Sequence, residues 1–269
     1  MKFEKNRFNY SVDSIERSIV MDNPIGNISP KTKQKLYKDA IAKLSKYPEL
    51  EKLIDIRHIR TYPFEGVKNF VRAGALPSKI VISDQRIKDM CRNPFWFSLP
   101  NDDGTQGEMR FEPCPFLKIH SSCPYHSSLS AEKVRAKLDK SDILIVIQTK
   151  LFNQIDIPPY QFPILHKLTK EIKNILGPKS VVQKFGCGHC RACKKPCLGN
   201  GDCRSPELQI SSFESQGIAV GQLTRDLALF SGNKAWEVKF LKHFGMPNMT
   251  PKKWKYSIGL SIKLPGNGK

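Results

Sequence analysis

Five of the chain's eight cysteines fall within residues 187–203: Cys187, Cys190, Cys193, Cys197 and Cys203. Thiols at that density raise the question of what holds them: a metal, a cluster or one another, with unligated thiols as the remaining case. A chain of 269 residues can bury a sizeable core, so it does not need disulfide staples for stability. The N-terminal stretch "MKFEKNRFNYSVDSIERS" lacks the apolar run of a secretory signal. The longest apolar run, Ile143–Ile147, is far too short to cross a bilayer. The chain therefore reads as a cytoplasmic protein without a membrane span, in a compartment where thiols stay reduced. Clustered cysteines there point to metal ligation.

The first four cysteines of the group are spaced C-x2-C-x2-C-x3-C, the spacing of bacterial ferredoxins, without the usual proline after the fourth. Such gaps wrap the backbone around one corner of a cubane, and Gly186, Gly188 and Gly199 supply some of the required turns. Arg191, Lys194, Lys195 and Arg204 place positive charge beside an anionic cluster, with Arg191 and Arg204 as its candidate contacts. A [4Fe–4S] cluster, one or two per chain, is the expected cofactor. Zinc is the competing reading, although its usual ribbon separates two C-x2-C pairs by a dozen or more residues. Upstream, Cys114 and Cys123 are each followed by proline and form a second candidate pair, whereas Cys91 reads as a buried thiol near a helix end. His120, His126 and His189 lie near cysteines and are weaker ligand candidates.

The surrounding pattern is α/β: a mixed sheet with flanking helices, the cysteine loop at a strand end and a helical N-terminal extension. Residues 1–28 read as a polar arm. Ser29-Pro30 starts a helix whose apolar face is Leu36, Ala40, Ile41 and Leu44, and a short helix follows Pro48. Lys79–Ser83 reads as a strand, residues 84–91 as a helix and Asn101–Pro113 as a loop. Ser130 caps a helix, Ile143–Phe152 is a buried strand, and a helix ends at Gly177-Pro178. Val181–Phe185 is the strand that delivers the cysteines. Beyond them come a helix carrying Leu223, Leu227 and Phe230 and an alternating strand at Tyr256–Leu264, expected near a sheet edge. The division follows: an accessory region at 1–78 and an α/β metal-binding domain at 79–269.

Two blocks carry a family resemblance. One is Cys114-Pro115 through Cys123-Pro124; the other is "CRACKKPCLGNGDCRSPE" from Cys190 to Glu207, continued by "SSFESQGIAV" at Ser211–Val220. Together they resemble the cysteine-rich predicted metal-binding proteins of domain of unknown function 2284. Cys190-Arg191, Gly201-Asp202-Cys203-Arg204, Pro206, Ser212, Glu214 and Gly217-Ile218 match that family's pattern, and Phe213 stands where it has methionine. The resemblance implies a metal or iron–sulfur site and no particular reaction.

Two ligand assignments follow. In one, Cys190, Cys193, Cys197 and Cys203 hold a single cluster, with Cys114, Cys123 and Cys187 serving a second site. In the other, Cys187, Cys190 and Cys193 share a cluster with a distant fourth ligand, and Cys197 serves another. There is no P-loop, no G-x-G-x-x-G and no nucleophile elbow. The net charge of +19, from 44 Lys and Arg against 25 Asp and Glu, favours an acidic partner such as a redox protein or larger complex over nucleic acid, for which no motif is present. Electron relay is the leading expectation. Sulfur transfer or cofactor or RNA modification on a [4Fe–4S] cluster, and a zinc-stabilised binding module, are the alternatives.

Overall fold

The structure, a computed structural model, describes residues 12–50, 70–90, 95–100, 106–112, 130–150, 158–186, 203, 205, 209–230 and 256–265. Among these the elements run α1 (Val12–Asp22), α2 (Pro30–Leu44), β1 (Phe70–Pro77), α3 (Gln85–Asp89), β2 (Phe95–Pro100), β3 (Gln106–Glu112), α4 (Ala131–Asp139), β4 (Ile143–Lys150), α5 (Pro158–Leu176), β5 (Val181–Phe185), α6 (Val220–Phe230) and β6 (Tyr256–Ile262). Local chemistry sets several of the helix starts. Ser29 Oγ accepts from Thr32 N ahead of Pro30, Asp84 accepts from Arg86 N, and Ser130 accepts from Lys133 N.

Four strands form one sheet in the order β1-β4-β6-β5, and every pairing in it is antiparallel. The expected alternation of helices and strands is present. β4 and β5 do not pair with each other because β6 lies between them. Ile143, Ile145 and Ile147 of β4 join Ile258, Leu260 and Ile262 of β6 on one face, under Leu165, Leu168 and Ile172 of α5. Leu144 and Val146 point to the other face, with Val134 and Leu138 of α4 and Leu223 and Leu227 of α6. Burial on both faces explains the unbroken apolar run of β4. α2 lies against the edge strand β1, with Ala40 and Leu44 in the first cluster and Leu36 and Tyr37 against the second.

Four expectations change. The alternating C-terminal strand is central, not peripheral: its second face carries Ser257, Gly259 and Ser261, which are small and buried rather than wet. The first strand of the sheet is Phe70–Pro77, while Ser78–Ile80 form a 3-10 turn and Ser83 makes only an isolated bridge to Ile218. Part of the expected loop at 101–113 is strand β3 (Gln106–Glu112), which pairs antiparallel with β2; residues 101–105 lie outside the described residues. Residues 12–22 of the expected arm are helical, and Ile19 and Val20 pack with Ile82, Ile87 and Ala219. Pro48–Leu50 are helical as expected; the remainder of that short helix lies outside the described residues.

Candidate metal centre

The cysteine-bearing segment 187–210 lies in sequence between Gly186, directly after β5, and Ser211. Gly186 N donates to Ser211 O at 2.8 Å, and Gly186 pairs with Ser212 in a parallel bridge. Both ends of the segment 187–210 are thus tied at one point beside the sheet. Closing a chain segment of this length costs on the order of 3 kcal/mol in chain entropy, and the bonds that tie its ends offset part of that cost.

Side chains reinforce the tie. The Gln216 amide nitrogen donates to Ser211 O at 3.0 Å and to Lys184 O at 3.3 Å, bridging the outgoing and incoming chains. Its oxygen accepts from Gln183 Nε2 at 2.7 Å, and Gln183 Oε1 accepts from Lys137 Nζ at 2.8 Å. The direction of this chain is fixed at both ends. An ammonium can only donate and a backbone carbonyl can only accept, so each amide between them has one permitted orientation. Gln216 is fully buried, which makes its satisfied amide stiff and its loss costly.

Residues 212–218 form the platform beneath the tie. Ser212 Oγ accepts from Ser215 N at 3.1 Å, and Ser215 Oγ returns a bond to Ser212 O at 2.9 Å. Glu214–Gln216 make a 3-10 turn that ends at Gly217, whose φ is +78°. A Cβ on Gly217 would lie 2.7 Å from Asp84 O, so glycine is required there for both conformation and space. Asp84 N donates to Gly217 O and Ala219 N to Ile82 O, fastening the platform to the segment before α3. Phe213 lies in the second core cluster with Phe185, the last residue of β5.

Buried charge surrounds the platform. Glu16 of α1 accepts from Gly221 N at 3.1 Å and Gln222 N at 2.9 Å, so a distant carboxylate caps the first turn of α6. Desolvation raises the Glu214 carboxyl above its ordinary value, and the charge of Glu16 adds to that. Asp226 of α6 is also raised by desolvation, partly offset by Lys33 at 4.0 Å and a hydrogen bond from Gln222.

Of the sequence-predicted ligands, Cys203 is described: it is half-buried and in no disulfide. Cys114, Cys123, Cys187, Cys190, Cys193 and Cys197 lie outside the described residues, as do Arg191, Arg204, Cys91, His120, His126 and His189. Among the described residues no group of three or more His, Cys, Asp or Glu side chains could hold a metal. The candidate donors there are cysteine thiols, a soft donor type that suits zinc or iron–sulfur clusters better than hard cations. Gln183 and Lys137 lie outside the family blocks, and Gln216 stands inside the second block at a position its pattern does not specify, so none of the three gave a sequence signal: a polar residue looks the same whether buried or exposed.

No curated protein and no solved structure matches the chain. A family model described as "Predicted metal-binding protein (DUF2284)" matches residues 107–246. That span, just over half of the 269 residues, takes in the cysteine loop, its tied ends and the platform beneath them. The chain therefore belongs to the DUF2284 family of predicted metal-binding proteins.

Proposed function

We propose that the chain is an iron–sulfur protein that relays electrons within a larger redox complex. The observation that carries this reading is the crowding of Cys187, Cys190, Cys193, Cys197 and Cys203 into one segment whose two ends are tied at Gly186 and Ser211. The first four have the spacing that suits a cubane, and Cys203 extends the supply of thiolates. Cys114 and Cys123 would complete a second set, or the same one. A [4Fe–4S] cluster held there would supply one-electron chemistry with little rearrangement.

The chain's own residues do the rest. The thiolates carry negative charge, and Arg191 and Arg204 offset it within the motif. Gly186 and its neighbours admit close turns around the ligands. The net charge of +19 would steer an acidic redox partner toward the chain. The chain's apolar segments fit a cytoplasmic setting, and among the described residues no helix is long and apolar enough to cross a membrane.

The test is anaerobic purification with iron, sulfide and zinc analysis and EPR of the reduced protein. The expected result is brown protein with about four or about eight iron atoms per chain, depending on cluster number. Colourless protein with stoichiometric zinc would replace the reading with that of a zinc-stabilised binding module.

A further inference from the structure

We propose that Gln216 is the positioning residue of the metal-binding loop. This rests on the metal-binding reading and extends it to a residue that holds no metal. One amide spans the two chain segments that flank the cysteines, donating to Lys184 O on the way in and to Ser211 O on the way out. Ser211 O already accepts from Gly186 N, so both of its lone pairs are used and the direction of that carbonyl is set. Gln183 and Lys137 hold the Gln216 amide from the far side. The result is a fixed separation between the two chain ends that flank the cysteine-bearing segment 187–210.

Preorganisation is the physical consequence. A loop with free ends must lose its chain entropy when the ligands converge, and that loss weakens binding. A loop whose ends are already clamped binds its metal at lower entropic cost and releases it more slowly. Partners one shell outside metal ligands commonly change affinity by about 10–100-fold when removed. Gln216 acts at the hinge of the whole segment and not on a single ligand.

Glutamate is close in shape to glutamine, but its carboxyl has at most one O–H and, ionised or neutral, cannot donate to both carbonyls, so Gln216→Glu breaks the two-armed clamp while keeping the volume. Gln216→Leu removes all its polarity. Gln183→Leu spares both bonds to the carbonyls and removes only the donor that holds the amide from behind. Leu44→Ala, in the core at the other side of the sheet, serves as a control for destabilisation alone.

The experiment follows release of the metal that co-purifies anaerobically with the full chain. Release is measured against excess EDTA by elemental analysis of the protein fraction. Hydrogen exchange of the Gly186 amide is measured in the metal-free protein. Gln216→Glu and Gln216→Leu should release metal about 10–100-fold faster than wild type and lose protection at Gly186, with Gln183→Leu between them and wild type. Leu44→Ala should release at the wild-type rate despite a lower Tm. The proposal is overturned by wild-type release in Gln216→Glu, by faster release with Gly186 still protected, or by equal release in Leu44→Ala. Wild-type protein that carries no metal would remove the metal-binding reading itself and this proposal with it; a clamp acting alone would still appear as Gly186 exchange.

Discussion

Phe185 and Phe213 stack with ring centroids 4.7 Å apart and planes 6° from parallel. The contact joins the last strand residue before the cysteine loop to the platform that follows it. Both rings are fully buried, and the stack reaches β6 through Gly259, where a Cβ would lie 2.8 Å from Phe213 Cζ and 2.5 Å from Ile145 O. Phe213→Ala should cost about 3–5 kcal/mol, the usual range for emptying a buried aromatic site. Gly259→Ala should cost about 1–3 kcal/mol by overpacking the same contact. Urea denaturation measures both, and a near-neutral Gly259→Ala would show that the two sides of the sheet adjust independently.

Glu16 stands far from α6 in sequence yet caps its first turn, with Arg225 Nη2 3.7 Å from the same carboxylate. Glu16→Ala leaves two half-buried backbone donors without their acceptor. A loss of about 2 kcal/mol is expected, together with faster exchange at the Gly221 and Gln222 amides. Unchanged exchange at those two amides would mean that the cap does not hold α6.

Glu214 and Asp226 bind protons more tightly in the folded chain than in the unfolded one, because burial penalises their charged forms. Their effect on stability is therefore greatest at low pH. It declines as pH rises from their ordinary values of 4.5 and 3.8 through the raised ones. Asp84 runs the other way. Hydrogen bonding to Arg86 lowers its carboxyl, so its contribution is complete above 3.8 and is lost as pH falls further. Between about 4.5 and the raised value of Glu214 its contribution to folding should fall as pH rises, and Glu214→Gln should flatten that decline. Urea midpoints across a pH series measure the slope, and an unaltered slope in the variant would remove Glu214 as its source.

Cys193 is central to the ferredoxin-like spacing, whereas Cys91 lies outside both motif blocks. Under the iron–sulfur reading, Cys193→Ser should lose most of the bound iron and the visible absorbance, and Cys91→Ser should be nearly silent. Iron analysis of anaerobically purified variants decides this. Equal iron loss in both would overturn the ranking of the ligands.

Helix starts were legible in the sequence because capping is local. Ser29 before Pro30 and Ser130 before Ala131 bond to backbone groups three residues away, whatever the rest of the chain does. The buried run at Ile143–Ile147 was also legible, since composition alone marks a strand covered on both faces. So were the family blocks, which are defined by residue type and spacing. The central place of β6 was not. Its Ser257, Gly259 and Ser261 alternate with larger apolar residues as an exposed face would, and its pairing with both β4 and β5 and the burial of those small residues are seen in the fold and not in the pattern.

The sequence by itself determined the thiolate supply, its spacing and the strand that leads into it, because each is a property of neighbours along the chain. Tertiary structure alone decided how the loop is closed. Gln183 and Gln216 are 33 residues apart, and Lys137 lies 46 residues before Gln183. A glutamine becomes a clamp only where folding strips away its water and leaves two backbone carbonyls and one amide as its partners. That requirement for complete pairing of buried polar groups acts through space, so no local pattern records it.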